Sequence, residues 1–139
     1  MRAITLLLAF ALAGCSGAMP YGSFVTGREQ AQTAIAADAA KELATSFAPA
    51  DQPLRFAHDT GDAFGRGLVA ALRKQGFAVR STPARGEFLV RYVVDALKGT
   101  ELLRATIYVQ GRTFSRAYAP RPGGLYPVGP WSVGGTDGS

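Results

Sequence analysis

Cysteine and histidine each occur once in this chain of 139 residues, and tryptophan also occurs once. A single thiol excludes an internal disulfide framework, and one thiol with one imidazole cannot supply the usual three or four ligands of a zinc site. Charged residues make up only 18% of the chain, in single Arg, Lys, Asp and Glu residues without a run. The net charge of +5 is therefore spread, and reads as a solvated surface ahead of a nucleic-acid or anionic-lipid patch; no nucleic-acid partner is expected. No apolar stretch approaches the ~20 residues needed to span a bilayer. No Gly-x-Ser-x-Gly, Cys-x-x-Cys or calcium loop occurs. Gly65-Arg66-Gly67 does not follow a strand as a dinucleotide loop must, and Gly123-Gly124 lacks the Lys-Ser/Thr of a phosphate loop. The His58-Asp59 neighbours are a structural or surface pair, with no nucleophile to activate. The sequence predicts no enzyme, no catalytic residue, no cofactor and no metal.

What is present begins at the N-terminus. Met1-Arg2 is a short positive region, and Ala3 to Ala13 is an apolar segment too short for a transmembrane helix. Leu12-Ala13-Gly14-Cys15 then places the sole cysteine directly after a small-residue pair. This stretch resembles the lipobox of bacterial lipoproteins. It implies a signal peptide over 1–14, cleavage after Gly14, and palmitate and diacylglyceryl groups on Cys15, the first residue of the mature chain. The competing reading is an ordinary secretory signal cut after Ala13, which leaves an unpaired exported thiol unexplained. Several acyl chains on one residue anchor stably where one does not. Ser16 stands where inner-membrane lipoproteins typically carry Asp, and by resemblance to that sorting rule the periplasmic face of the outer membrane is the expected location.

Residues 15–27 form the lipidated N-terminus and a tether, with Gly17, Pro20, Gly22 and Ser23. Residues 28–119 read as one α+β domain, with two helices packed on a mainly antiparallel sheet. Ile35, Ala39, Leu43 and Phe47 recur along one helical face. A short strand follows at 54–58. A second helix starts near Thr60 as N-cap, with Asp62 in its first turn, Phe64, Leu68, Ala71 and Leu72 as its stripe, and Gly76 past its end. The glycines at 65 and 67 allow close packing. A strand at 77–80 follows. Phe88, Val90, Tyr92 and Val94 then alternate with Leu89, Arg91, Val93 and Asp95; Leu103, Ala105, Ile107 and Val109 alternate in the next strand; Gln110-Gly111 turns into a strand at 113–118. Residues 120–139, rich in Pro and Gly, read as an irregular tail. Within it Leu125, Tyr126, Val128 and Trp131 either cap the core or dock on a partner, and Tyr126 and Trp131 are the candidate partner contacts.

The lipobox, the Ala-rich helix Ile35 to Leu43, Asp62-Ala63-Phe64-Gly65, the strand Leu89 to Asp95, and Ser115-Arg116-Ala117-Tyr118 together are similar to the conjugal transfer protein TrbH family. The resemblance extends from the signal to Trp131. It implies a small membrane lipoprotein of conjugative type IV secretion, a structural or assembly part of the mating-pair-formation apparatus with protein partners in that complex. The alternative from the residues alone is a general cell-envelope lipoprotein that binds peptidoglycan, lipid or a small ligand.

Overall fold

A computed structural model describes residues 20–135. The signal peptide, Cys15 and the first part of the tether lie outside the described residues, as do residues 136–139. Helix formation where Ala, Gln, Glu and Lys dominate gives α1 (Glu29–Ser46), and the amphipathic stretch after Asp62 gives α2 (Ala63–Lys74). The strands are β1 (Gly22–Ser23), β2 (Leu54–Phe56), β3 (Val79–Arg80), β4 (Phe88–Ala96), β5 (Leu103–Val109), β6 (Arg112–Arg121) and β7 (Gly124–Gly135).

These strands form one sheet in the order β3-β2-β4-β5-β6-β7. From β4 to β7 it is an antiparallel meander, while β2 and β3 join in parallel. β1 also runs parallel to β4, so β2 and β1 occupy successive halves of the same side of that strand. Leu103, Ala105, Ile107 and Val109 of β5 are buried with Val90, Tyr92 and Val94 of β4, as the alternation predicts. They meet Ile35, Ala39 and Leu43 of α1 and Phe64, Leu68 and Leu72 of α2 in one core. Both helices lie on this face. No helix among the described residues covers the other.

Turn chemistry fixes the registers. Gln110 and Gly111 have φ of 48° and 70°, the left-handed pair of a type I′ hairpin, and Val109 faces Arg112 across it. At the end of α2, Phe77 N–H donates to Leu72 O and Gly76 N–H to Arg73 O with Gly76 at φ 98°, a Schellman ending.

Three expectations are corrected. The N-cap of α2 is Asp62, not Thr60, because the Asp62 carboxylate accepts from Gly65 N–H at 2.7 Å while Thr60 packs its backbone against Gly65. The tether does not end at residue 27: Gly22 and Ser23 are within the sheet, and Phe24 N–H continues the pairing to Val94 O at 2.8 Å. The Pro/Gly-rich tail is not irregular over residues 124–135, which pair with β6 from Arg121 to Arg112. Pro and Gly argue against a central strand but are tolerated at an edge, and β7 is the edge. Its ladder breaks once, between Ser115 and Ala117, where Gly129 at φ 78° takes up the extra residues.

Candidate functional site

The N-terminal segment is held at one polar junction. Asp62 Oδ1 caps α2, while Oδ2 accepts from Ser23 N–H at 3.1 Å and from the Tyr92 hydroxyl at 2.8 Å. Burial and this carboxylate both push the Tyr92 phenol well above its usual range. Gln32, buried on α1, completes the clasp. Its Nε2 donates to Gly27 O at 2.7 Å and Val25 O at 3.3 Å, and its Oε1 accepts from Ser23 Oγ at 2.6 Å.

His58 sits beside this junction. Its Nε2 accepts from Tyr92 N–H at 3.2 Å, which leaves the proton on Nδ1 to be donated to Asp59 O at 2.9 Å. The Asp59 carboxylate turns instead to Gly61 N–H. The histidine and aspartate adjacent in sequence thus share a backbone contact and no side-chain pair. The His58 ring packs against Tyr92 and stacks on Tyr21.

A second junction joins α1, β6 and β7. Asp38 Oδ2 accepts from Arg116 Nη1 at 2.9 Å and from the Tyr118 hydroxyl at 2.6 Å. Burial first, then this hydrogen bond, raises the Tyr118 phenol well above its usual range. Arg116 Nε donates to Gly129 O at 2.9 Å, which satisfies the carbonyl at the interruption of β7. Between α1 and β7 lies a groove lined by Ala34, Ile35, Asp38, Tyr118, Leu125 and Pro127.

The two candidate partner contacts are not brought together. Trp131 is half-buried under Arg116 on the helix side, where it packs against the core. Tyr126 faces Ala119 and is 46% exposed on the open side of the sheet. Val128 is 48% exposed there too, and Phe24, next along the chain from Ser23, is 60% exposed. Tyr21 folds its ring over Arg91 and against Tyr108 on the same side.

The family described as conjugal transfer protein TrbH matches residues 18–136, a span that includes every described residue. The chain belongs to that family. Membership makes it a component of conjugal transfer, in agreement with the resemblance in the sequence. No curated protein and no solved structure matches it.

Sequence reasoning missed Gln32, Asp38 and Asp62 as the organising polar residues. Asp62 carried a signal, since Asp three residues before Gly65 satisfies the capping pattern better than Thr60 does. Gln32 and Asp38 carried none, because their partners are distant in the chain: Tyr118 is 80 residues from Asp38.

Proposed function

We propose that this chain is a lipid-anchored structural or assembly component of a conjugative type IV secretion apparatus, held through Cys15 at the periplasmic face of the outer membrane. Family membership carries the reading, and the Leu12-Ala13-Gly14-Cys15 stretch supplies the anchor. No helix among the described residues is long and apolar enough to cross a membrane, so the lipid would hold the body there. The work of the body is protein contact. β7 offers Tyr126 on one side, Trp131 on the other, and a free edge between them.

The test uses tagged full-length chain in conjugating cells. Labelled palmitate enters the wild type and not Cys15→Ser, and the variant leaves the membrane fraction. Affinity capture of the wild type brings down other transfer components. Recovery of envelope material alone would favour a general cell-envelope lipoprotein instead.

A further inference from the structure

We infer that the uncovered face of the sheet lies flat on a membrane containing anionic phospholipid, with Phe24 and Tyr126 at its two margins. The inference rests on the lipid anchor proposed at Cys15.

Strand register decides which side chains share that face. Arg55 and Arg80 are paired in register, and Arg55 also faces Leu89; Arg91 faces Tyr108; Asp95 faces Arg104; Arg121 follows Ala117 and Ala119 by alternation. Arg55 is compensated by Glu87 at 2.7 Å and Arg104 by Asp95 at 2.7 Å. Arg80, Arg91 and Arg121 form no ion pair among the described residues. Between these cations the face is small and apolar or hydroxylic: Val93, Thr106, Ser115 and Ala117. Tyr126 and Val128, both exposed, stand on it, and alternation from Ser23, whose hydroxyl reaches Gln32 on the helix side, puts the exposed Phe24 there too; the exposed Val133 pairs with Phe114 on the helix side. A mixed surface whose unpaired charges are all arginine, with aromatic and aliphatic side chains at its margins, suits adsorption to anionic headgroups.

The length of the tether makes the contact geometrically close. From Cys15 to Pro20 a fully extended chain reaches no more than about 18 Å. Tyr21 is already fixed on the open face by Arg91 and Tyr108. A lipid on Cys15 therefore keeps the N-terminal margin of the sheet within reach of the headgroups, and the uncompensated arginines select the face that turns to them. Tyr126 belongs to the lipid side on this reading, which leaves the edge of β7 and Trp131 for protein.

The experiment uses the lipidated full chain in vesicles of phosphatidylethanolamine with or without phosphatidylglycerol. With Cys15 acylated, an introduced cysteine is the only thiol, so a nitroxide can be placed on Thr106→Cys at the open face or on Ala37→Cys at the exposed side of α1. On vesicles with phosphatidylglycerol the label at 106 loses access to aqueous nickel reagent and gains access to oxygen, and the label at 37 does not. Converting Arg80, Arg91 and Arg121 to Gln restores nickel access at 106, each neutralised arginine weakening adsorption about fivefold. A protein retained on the vesicles with both labels equally open to nickel overturns the inference while leaving the anchor intact. Protection at 106 that appears only when other transfer components are added makes the face a protein contact and also overturns it. Absence of lipid on Cys15, with loss of the protein from the vesicles, overturns the anchor itself and the inference with it.

Discussion

Gly65 lies directly beneath the Tyr92 hydroxyl, so close that any Cβ there would collide with that oxygen and with the backbone of Thr60. Because Tyr92 also donates to Asp62, the carboxylate that caps α2, the absent side chain allows helix and sheet to share one hydrogen-bonded corner. Gly67 does the corresponding work against α1, where a Cβ would lie 3.2 Å from Ala36 Cβ.

Gly65→Ala is expected to destabilise the domain by more than the usual glycine-to-alanine gain in a helix can offset, and Tyr92→Phe in the same chain should recover part of the loss by removing the nearest obstructing atom. Asp62→Ala should cost about 2–4 kcal/mol, combining a lost N-cap with a buried phenol left without its acceptor. Urea unfolding of the single and double variants checks both, and additive effects of Gly65→Ala and Tyr92→Phe would show that the contact is not the cause.

Leu68→Ala and Ile107→Ala each empty a fully buried aliphatic site, one on the helix side of the core and one on the sheet side. Each is expected to cost about 2–5 kcal/mol. His58→Ala should cost less, since its ring is only partly buried and its two hydrogen bonds, from Tyr92 N–H and to Asp59 O, are to backbone that water can reach in its place. Thermal melts order the three.

Alkaline pH should weaken the fold through Tyr92 and Tyr118. Both phenols are raised by burial and by hydrogen bonds to carboxylates. Above the ordinary tyrosine value near 10 the unfolded chain releases these protons and the folded chain keeps them, so stability falls as pH rises, by at most about 1.4 kcal/mol per pH unit for each tyrosine. Tyr118→Phe should flatten this limb in a pH series of urea midpoints. On the acid side the sign reverses. Arg55 lowers the Glu87 carboxyl by donating two hydrogen bonds, so that contribution is present at neutral pH and is lost as pH falls through the lowered value. Glu87→Gln should remove this part of the acid dependence.

Truncation after Arg121 removes β7 and should lower the melting temperature, because Leu125 and Trp131 pack on the core and the whole length of β6 becomes an unpaired edge. Circular dichroism melts measure it. An unchanged melting temperature would mean that β7 adds nothing to the fold and serves contact alone.

Alternation and helical spacing made most of this architecture legible. The inward residues of β4 and β5, the stripe of α2, and the turn at Gln110-Gly111 all follow from local pattern. What stayed hidden depended on neighbours far along the chain. Nothing local marks Gly22-Ser23 as a strand, since its only partner is the distant β4. β7 was hidden by its own composition: Pro127, Gly129 and Pro130 suit no strand except one with a side open to solvent, and only the topology reveals that side. Tyr126 and Trp131 looked like one aromatic pair in the sequence, but once the segment is a strand their odd spacing sends them to opposite faces, and the two extra residues at Gly129 leave that parity unchanged.

The placement of β1 also has a mechanical consequence. A pull on the chain at Pro20 meets a two-residue strand whose sheet partner is β4. It loads the hydrogen bonds of Ser23 and Phe24 and passes through β4, near the middle of the sheet, with Asp62 and Gln32 as cleats on either side. Tension from the N-terminal end is thus delivered to β4, a strand that also pairs with β2 and β5.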